Sequence, residues 1–212
     1  GLVLQAAACM TGDDPAKIAR LPDAGGMRNE FVIQRAHRFP YDQAYRVPGG
    51  VLVEIGLGRR TAPHELEAAI GERTAGVIFL VSPFTSPPGI LPFEEVCRIA
   101  HARGVPVLMD AASMVPPREH LFRYVLGGAD LVVYHAANFP DQPASEDKLL
   151  AETRSLASAA GIAERLGVTI AIENLAPVFP GPDALSYTPS VLRTMANRIS
   201  SPALGLCLDI GH

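Results

Sequence analysis

From residue 50 onward, short apolar runs alternate with stretches whose apolar positions recur every three or four residues. The short runs are predicted strands at 51–55, 76–82, 105–110, 130–135, 168–173 and 204–209, with an earlier one at 31–35. The stretches between them are predicted helices at 63–71, 92–103, 117–126, 145–166 and 189–199, and an apolar helical stretch opens the chain at 2–10. Local chemistry marks several ends. Proline falls in the first turn of most of these helices, Ser145 is followed by Glu146 and Asp147, and Gly104 and Gly167 stand just past two helix ends. Strands apolar on both faces, each followed by a helix, predict an α/β fold: a mainly parallel sheet with helices on both faces.

Parallel α/β folds form their sites at the carboxyl ends of the strands. Four successive predicted strands end there in an acid or an imidazole: Asp110, His135, Glu173 and Asp209. Each alone could cap a helix or serve a loop, so it is their shared position that makes them site candidates.

Composition narrows the field. The 212 residues are 48% hydrophobic and 19% charged, with a net charge of −4, which is ordinary for a globular chain and gives no basic face for nucleic acid. No apolar run reaches the ~20 residues of a membrane span. Cys9, Cys97 and Cys207 are odd in number and far apart, which suggests neither a disulfide framework nor a thiolate zinc site, and fits buried thiols in the cytoplasm. Basic residues are almost all arginine; the only lysines are Lys17 and Lys148. Gly1 stands where an initiator Met would, and the last strand has no following helix to cover it, so the chain reads as a fragment.

Two resemblances follow from longer motifs. Residues 8–22, 29–38, 86–89, 105–113, 116–121 and 128–133 resemble pyridoxal-phosphate enzymes of the aspartate-aminotransferase fold, in their selenocysteine-synthase-like branch. The resemblance implies a large-domain fragment over 1–133, with Asp110 on the pyridine nitrogen and His37 against the cofactor ring. It also implies an amino-acid or amino-sugar substrate and a possible homodimer. The family's Ser-Gly-Gly-Lys segment is replaced here by Tyr134-His-Ala-Ala-Asn-Phe-Pro140, so the lysine that would form the Schiff base is missing.

Beyond this point Val133-Tyr-His-Ala-Ala-Asn138, Ile170-Ala-Ile-Glu-Asn-Leu175 and Gly205-Leu-Cys-Leu-Asp-Ile-Gly-His212 resemble the sugar-phosphate isomerase/epimerase family of xylose-isomerase-like (β/α)8 barrels. That resemblance implies a partial barrel over 134–212. Glu173, Asp209 and His135 would bind a divalent metal (Mn, Mg or Zn), and His212 would act on a keto-sugar substrate. Three readings stay open: descent from a pyridoxal-phosphate lyase or transferase, now inactive without its lysine; a metal-dependent isomerase or epimerase; and a truncated chimaera without activity.

Overall fold

The computed structural model describes residues 1–81, 88–111, 119–135, 145–174 and 189–207. The fold is α/β with parallel strands. The chain divides into two compact units, Leu2–Asp110 and Ala111–His212 joined by Gly1. The boundary between the resemblances at 133/134 is a division of motifs and does not coincide with this division of packing.

In the first unit the strands are β1 (Glu30–Gln34), β2 (Val51–Ile55), β3 (Thr74–Leu80) and β4 (Val107–Asp110), in the order β2-β1-β3-β4 with every pairing parallel. All seven positions of β3 are buried. Successive side chains of a strand point to opposite faces, so both faces of the sheet are covered here, as the apolar runs predict. The cover comes from two helix pairs. Helix α1 (Leu2–Thr11) packs on α3 (Gln43–Arg46) and β3, while α4 (Pro63–Ala69) packs on α5 (Phe93–His101), which lies against β3 and β4. Gly76 keeps β3 close to its neighbour: a methyl group there would lie 2.8 Å from Leu108 Cδ1.

Strand β3 starts at Thr74, two residues earlier than the apolar run suggests. Thr74 Oγ1 accepts from Gly71 N at 2.9 Å, so a polar residue enters the strand fully bonded. The short helix α2 (Pro15–Arg20), capped by Asp14 Oδ1 on the N–H groups of Ala16 and Lys17, has no apolar period and is invisible to pattern reading. The same holds for the 3₁₀ turns Arg35–His37 and Pro40–Asp42.

In the second unit β5 (Leu131–His135), β6 (Thr169–Glu173) and β7 (Leu204–Cys207) run parallel in that order. Helix α6 (Glu119–Leu126) packs on β5, α7 (Glu146–Leu166) on β6 and α8 (Pro189–Ile199) on β7. Each helix also packs on the next, α6 on α7 and α7 on α8. Among the described residues of this unit the helices form one continuous row, as expected of a partial barrel. That is the arrangement of a barrel wall, whose helices all lie outside the strands. Helix α7 is held at both ends, by Ser145 Oγ accepting from Lys148 N at 3.3 Å and by Gly167 at φ 71°. Among the described residues no helix is long and apolar enough to cross a membrane.

Candidate functional sites at the strand ends

Register brings the second unit's candidates together. His135 pairs with Glu173 across β5 and β6, and Glu173 with Cys207 across β6 and β7. Paired residues of parallel strands share a face, so the three side chains stand in a row at the carboxyl edge. The His135 Nε2–H donates to Glu173 Oε2 at 2.9 Å. Cys207 Sγ is 3.8 Å from Glu173 Oε1, and the amine of Gly1, in the same unit, is 3.3 Å from that oxygen. Glu173 is only 5% exposed, so its charge needs these partners. Cys207 is a neighbour that composition alone reads as an inert buried thiol. Its parity in the strand, two positions before Asp209, is the signal that places it on the same face.

The pair fits a divalent ion in part. An imidazole nitrogen and a carboxylate oxygen, 2.9 Å apart at one strand edge, are donors of the kinds such an ion takes. Imidazole nitrogen with carboxylate oxygen suits Zn or Mn. Among the described residues no group of three His, Cys, Asp or Glu side chains could hold an ion. Asp209 and His212 lie outside the described residues.

The first unit has its own polar edge. His37, which ends a 3₁₀ turn after β1, is fully buried, and its Nδ1 accepts from Leu80 N at 3.5 Å. The proton therefore sits on Nε2, which has no hydrogen-bond partner among the described residues. The ring meets Phe79 edge-on at 4.6 Å, and burial pushes its pKa from 6.5 down to about 4. Leu80 is the register partner of Asp110, whose carbonyl accepts from Val81 N at 2.8 Å. The two residues assigned to pyridoxal phosphate by resemblance, His37 and Asp110, thus flank the end of β3.

Neighbouring contacts that the sequence did not announce fix this edge. Gln34 Oε1 accepts from Leu91 N at 2.8 Å while its Nε2 donates to Leu91 O at 3.1 Å, all of it buried. Arg38 bridges Asp42 and Glu54. Its hydrogen bond to Asp42, then the charges of Asp42 and Glu54, hold the guanidinium above its ordinary pKa against the cost of burial. An orphaned buried imidazole and a strand-end carboxylate fit a heteroaromatic cofactor, but its covalent anchor does not fit. Lys17 lies on α2 beside Asp14 and Lys148 in the first turn of α7, neither at the end of a strand.

The sequence pattern of xylose isomerase-like TIM barrels matches residues 123–212. The chain is also 34% identical, over 149 residues, to the D-glucosaminate-6-phosphate ammonia lyase of Salmonella typhimurium (strain 14028s / SGSC 2262), covering 68% of this chain and 39% of that protein. It is 34% identical over 152 residues to a 5'-C-glycyluridine monooxygenase-decarboxylase of Streptomyces sp, covering 68% of this chain and 37% of the relative. A solved structure of D-glucosaminate-6-phosphate ammonia lyase superposes with a TM-score of 0.59 at 35% identity, over 63% of this chain and 36% of that one. The chain therefore spans about two fifths of the curated relatives it matches. Matches covering 68% of the chain cannot avoid residues 123–212, so the two kinds of similarity share at least about 20 residues.

Proposed function

We propose that the second unit is part of a metal-dependent sugar or sugar-phosphate isomerase or epimerase, with His135 and Glu173 as two of the metal ligands. The observation that carries this reading is the 2.9 Å His135–Glu173 pair, set by register at the carboxyl edge within the stretch that matches xylose isomerase-like barrels. When bound, the ion polarises the carbonyl or hydroxyl of the sugar and eases removal of the proton on the adjacent carbon. The chain's own residues fix the donors. Strands β5 and β6 set the spacing, the buried position of Glu173 keeps its carboxylate away from bulk water, and Cys207 limits the directions it can turn. Asp209 and His212, assigned by resemblance, would complete the ligand set and contact the substrate.

The test is calorimetric titration of Zn and Mn into the full chain, its Glu173→Gln and His135→Gln variants, and the double variant. The expected result is a fall in affinity of about tenfold or more for each single change, as for loss of a direct ligand. Equal affinity in all four proteins would refute the reading. Metal-dependent exchange of a ketose's proton with deuterated water would then locate the chemistry.

A second reading is favoured by a separate observation, the placement of Asp110 beside Leu80 and of His37 on Leu80 N. The 34% identity to an ammonia lyase agrees with a lyase ancestry, and descent of the first unit from a pyridoxal-phosphate lyase or transferase rests on the sequence resemblance. No reaction step through the cofactor is assigned, because neither lysine stands where the anchor belongs. Incubation with pyridoxal phosphate followed by borohydride should leave Lys17 and Lys148 unlabelled. A stable label on either would restore covalent chemistry to this reading. A chain formed by joining the two ancestries, inactive as it stands, predicts metal binding without proton exchange.

A further inference from the structure

Neither reading uses the opposite, amino edge of the first unit. An open cavity of about 610 Å³ lies there among the segments that enter β1, β2 and β3, lined in part by Asp23, Gly26, Arg28, Asn29, Glu72 and Arg73. The length of β3, seven residues at about 3.3 Å each, separates it from the His37 and Asp110 edge.

The walls of this cavity are built, not merely left open. Asn29 is buried; its Nδ2 donates to Gly49 O at 3.0 Å and its Oδ1 accepts from Arg73 Nη2 at 2.9 Å. Arg73 Nε is 3.2 Å from Glu30, so two acceptors hold the guanidinium in place while its Nη1 is without a partner among the described residues. Gly49, at φ 100°, lets the chain pass where a methyl group would fall 2.2 Å from Pro22 O. On the other wall Met27 N donates to Ala24 O at 3.0 Å, closing a turn with Gly26 at φ 75°. The N–H groups of Gly26 and Arg28 have no partner among the described residues.

The charges lining the cavity are of both signs. Asp23 is taken up by Gly25 N and by Arg20 at 3.7 Å. Arg28 and Glu72 are exposed and without a partner among the described residues. One uncommitted guanidinium, reinforced by the oriented Arg73, thus shares a cavity with one uncommitted carboxylate. A guanidinium's planar fork matches a carboxylate, and a carboxylate matches an ammonium. We propose that this cavity binds a small zwitterion carrying one carboxylate and one ammonium group. The volume suits such a ligand, and the site is independent of both functional readings.

The test is NMR titration of the ¹⁵N-labelled full chain with three six-carbon probes. D-glucosaminate carries both charges, gluconate only the carboxylate, and glucosamine only the ammonium. The expected result is saturable movement of the Gly25, Gly26 and Gly49 amides with D-glucosaminate. Gluconate and glucosamine should bind about tenfold or more weakly, each having lost a charge-assisted hydrogen bond. Arg28→Gln and Glu72→Gln should each weaken D-glucosaminate to a similar degree, and both residues are exposed, so the amide spectrum should otherwise keep its native dispersion. Equal binding of the three probes, unchanged affinity in the double variant, absence of saturation, or movement confined to amides at the carboxyl edge would each overturn the proposal.

Discussion

The two units end their strands in polar groups of different kinds. In the first, His37 is neutral and held by the Leu80 backbone N–H, and Gln34 is spent on the backbone of Leu91. In the second, His135 is bonded to Glu173, whose other oxygen faces Cys207 and the Gly1 amine. A polar group tied to backbone is part of the fold, and removing it leaves a buried backbone partner stranded. A pair of side chains tied to each other can exchange that bond for an ion without disturbing the main chain. The first edge is therefore expected to answer mutation with lost stability, and the second with lost ligand affinity.

The largest effect should come from Gln34→Leu. It strands the buried N–H and carbonyl of Leu91, at roughly 1–3 kcal/mol each, so a loss of about 3 kcal/mol is expected in urea unfolding. A loss below about 1 kcal/mol would show that water replaces the side chain, and would erase the contrast between the edges. Next comes the reciprocal experiment with metal. Glu173→Gln should weaken Zn or Mn binding about tenfold or more, whereas Asp110→Asn should leave it unchanged. Equal losses would mean that ion binding is not a property of the His135–Glu173 pair.

His37 gives a dependence on pH. Its folded pKa of about 4 lies below the unfolded value of about 6.5, so between these values the unfolded chain binds more protons. The stability contributed by the neutral ring is fully present above pH 6.5 and is lost as pH falls towards 4. At pH 5 the loss from this group is about 2 kcal/mol relative to pH 7. Unfolding measured at both pH values in wild type and His37→Gln should show a shallower slope in the variant; identical slopes would place the titration elsewhere. The smallest effect belongs to the second unit's scaffold. Ser145→Ala removes the cap on Lys148 N and should cost about 1 kcal/mol, read as a lower melting temperature with metal affinity nearly unchanged.

Much of the fold was legible because apolar runs and helical periods leave local traces. Strand β2 and helix α8 have the bounds that the pattern predicts, and other elements differ by a few residues at their ends. Residues 35–50 were not legible, since a chain of short turns has no period to read. At the sites, the convergence of His135 with Glu173 follows from two strand ends in register, and strand ends can be found in sequence. Positions such as Gln34, Asn29 and Cys207 were missed because their partners depend on register between distant segments, which no local pattern encodes. Asp209 and His212 carry motifs that only resemblance interprets.

The Gln34 contact also bears on the order of folding. By bonding both backbone groups of Leu91, the amide acts as a substitute strand neighbour, joining residues 57 positions apart. Closing a loop of that length costs entropy that the sheet must already have offset. The expected order is that β1 and β3, which pair directly, form first and that the Leu91 segment docks after the barrier is crossed. The amide should therefore have a φ-value near zero, so that its loss speeds unfolding and leaves the folding rate almost untouched. In the cell, this one side chain would set how long the edge stays closed rather than how fast it forms.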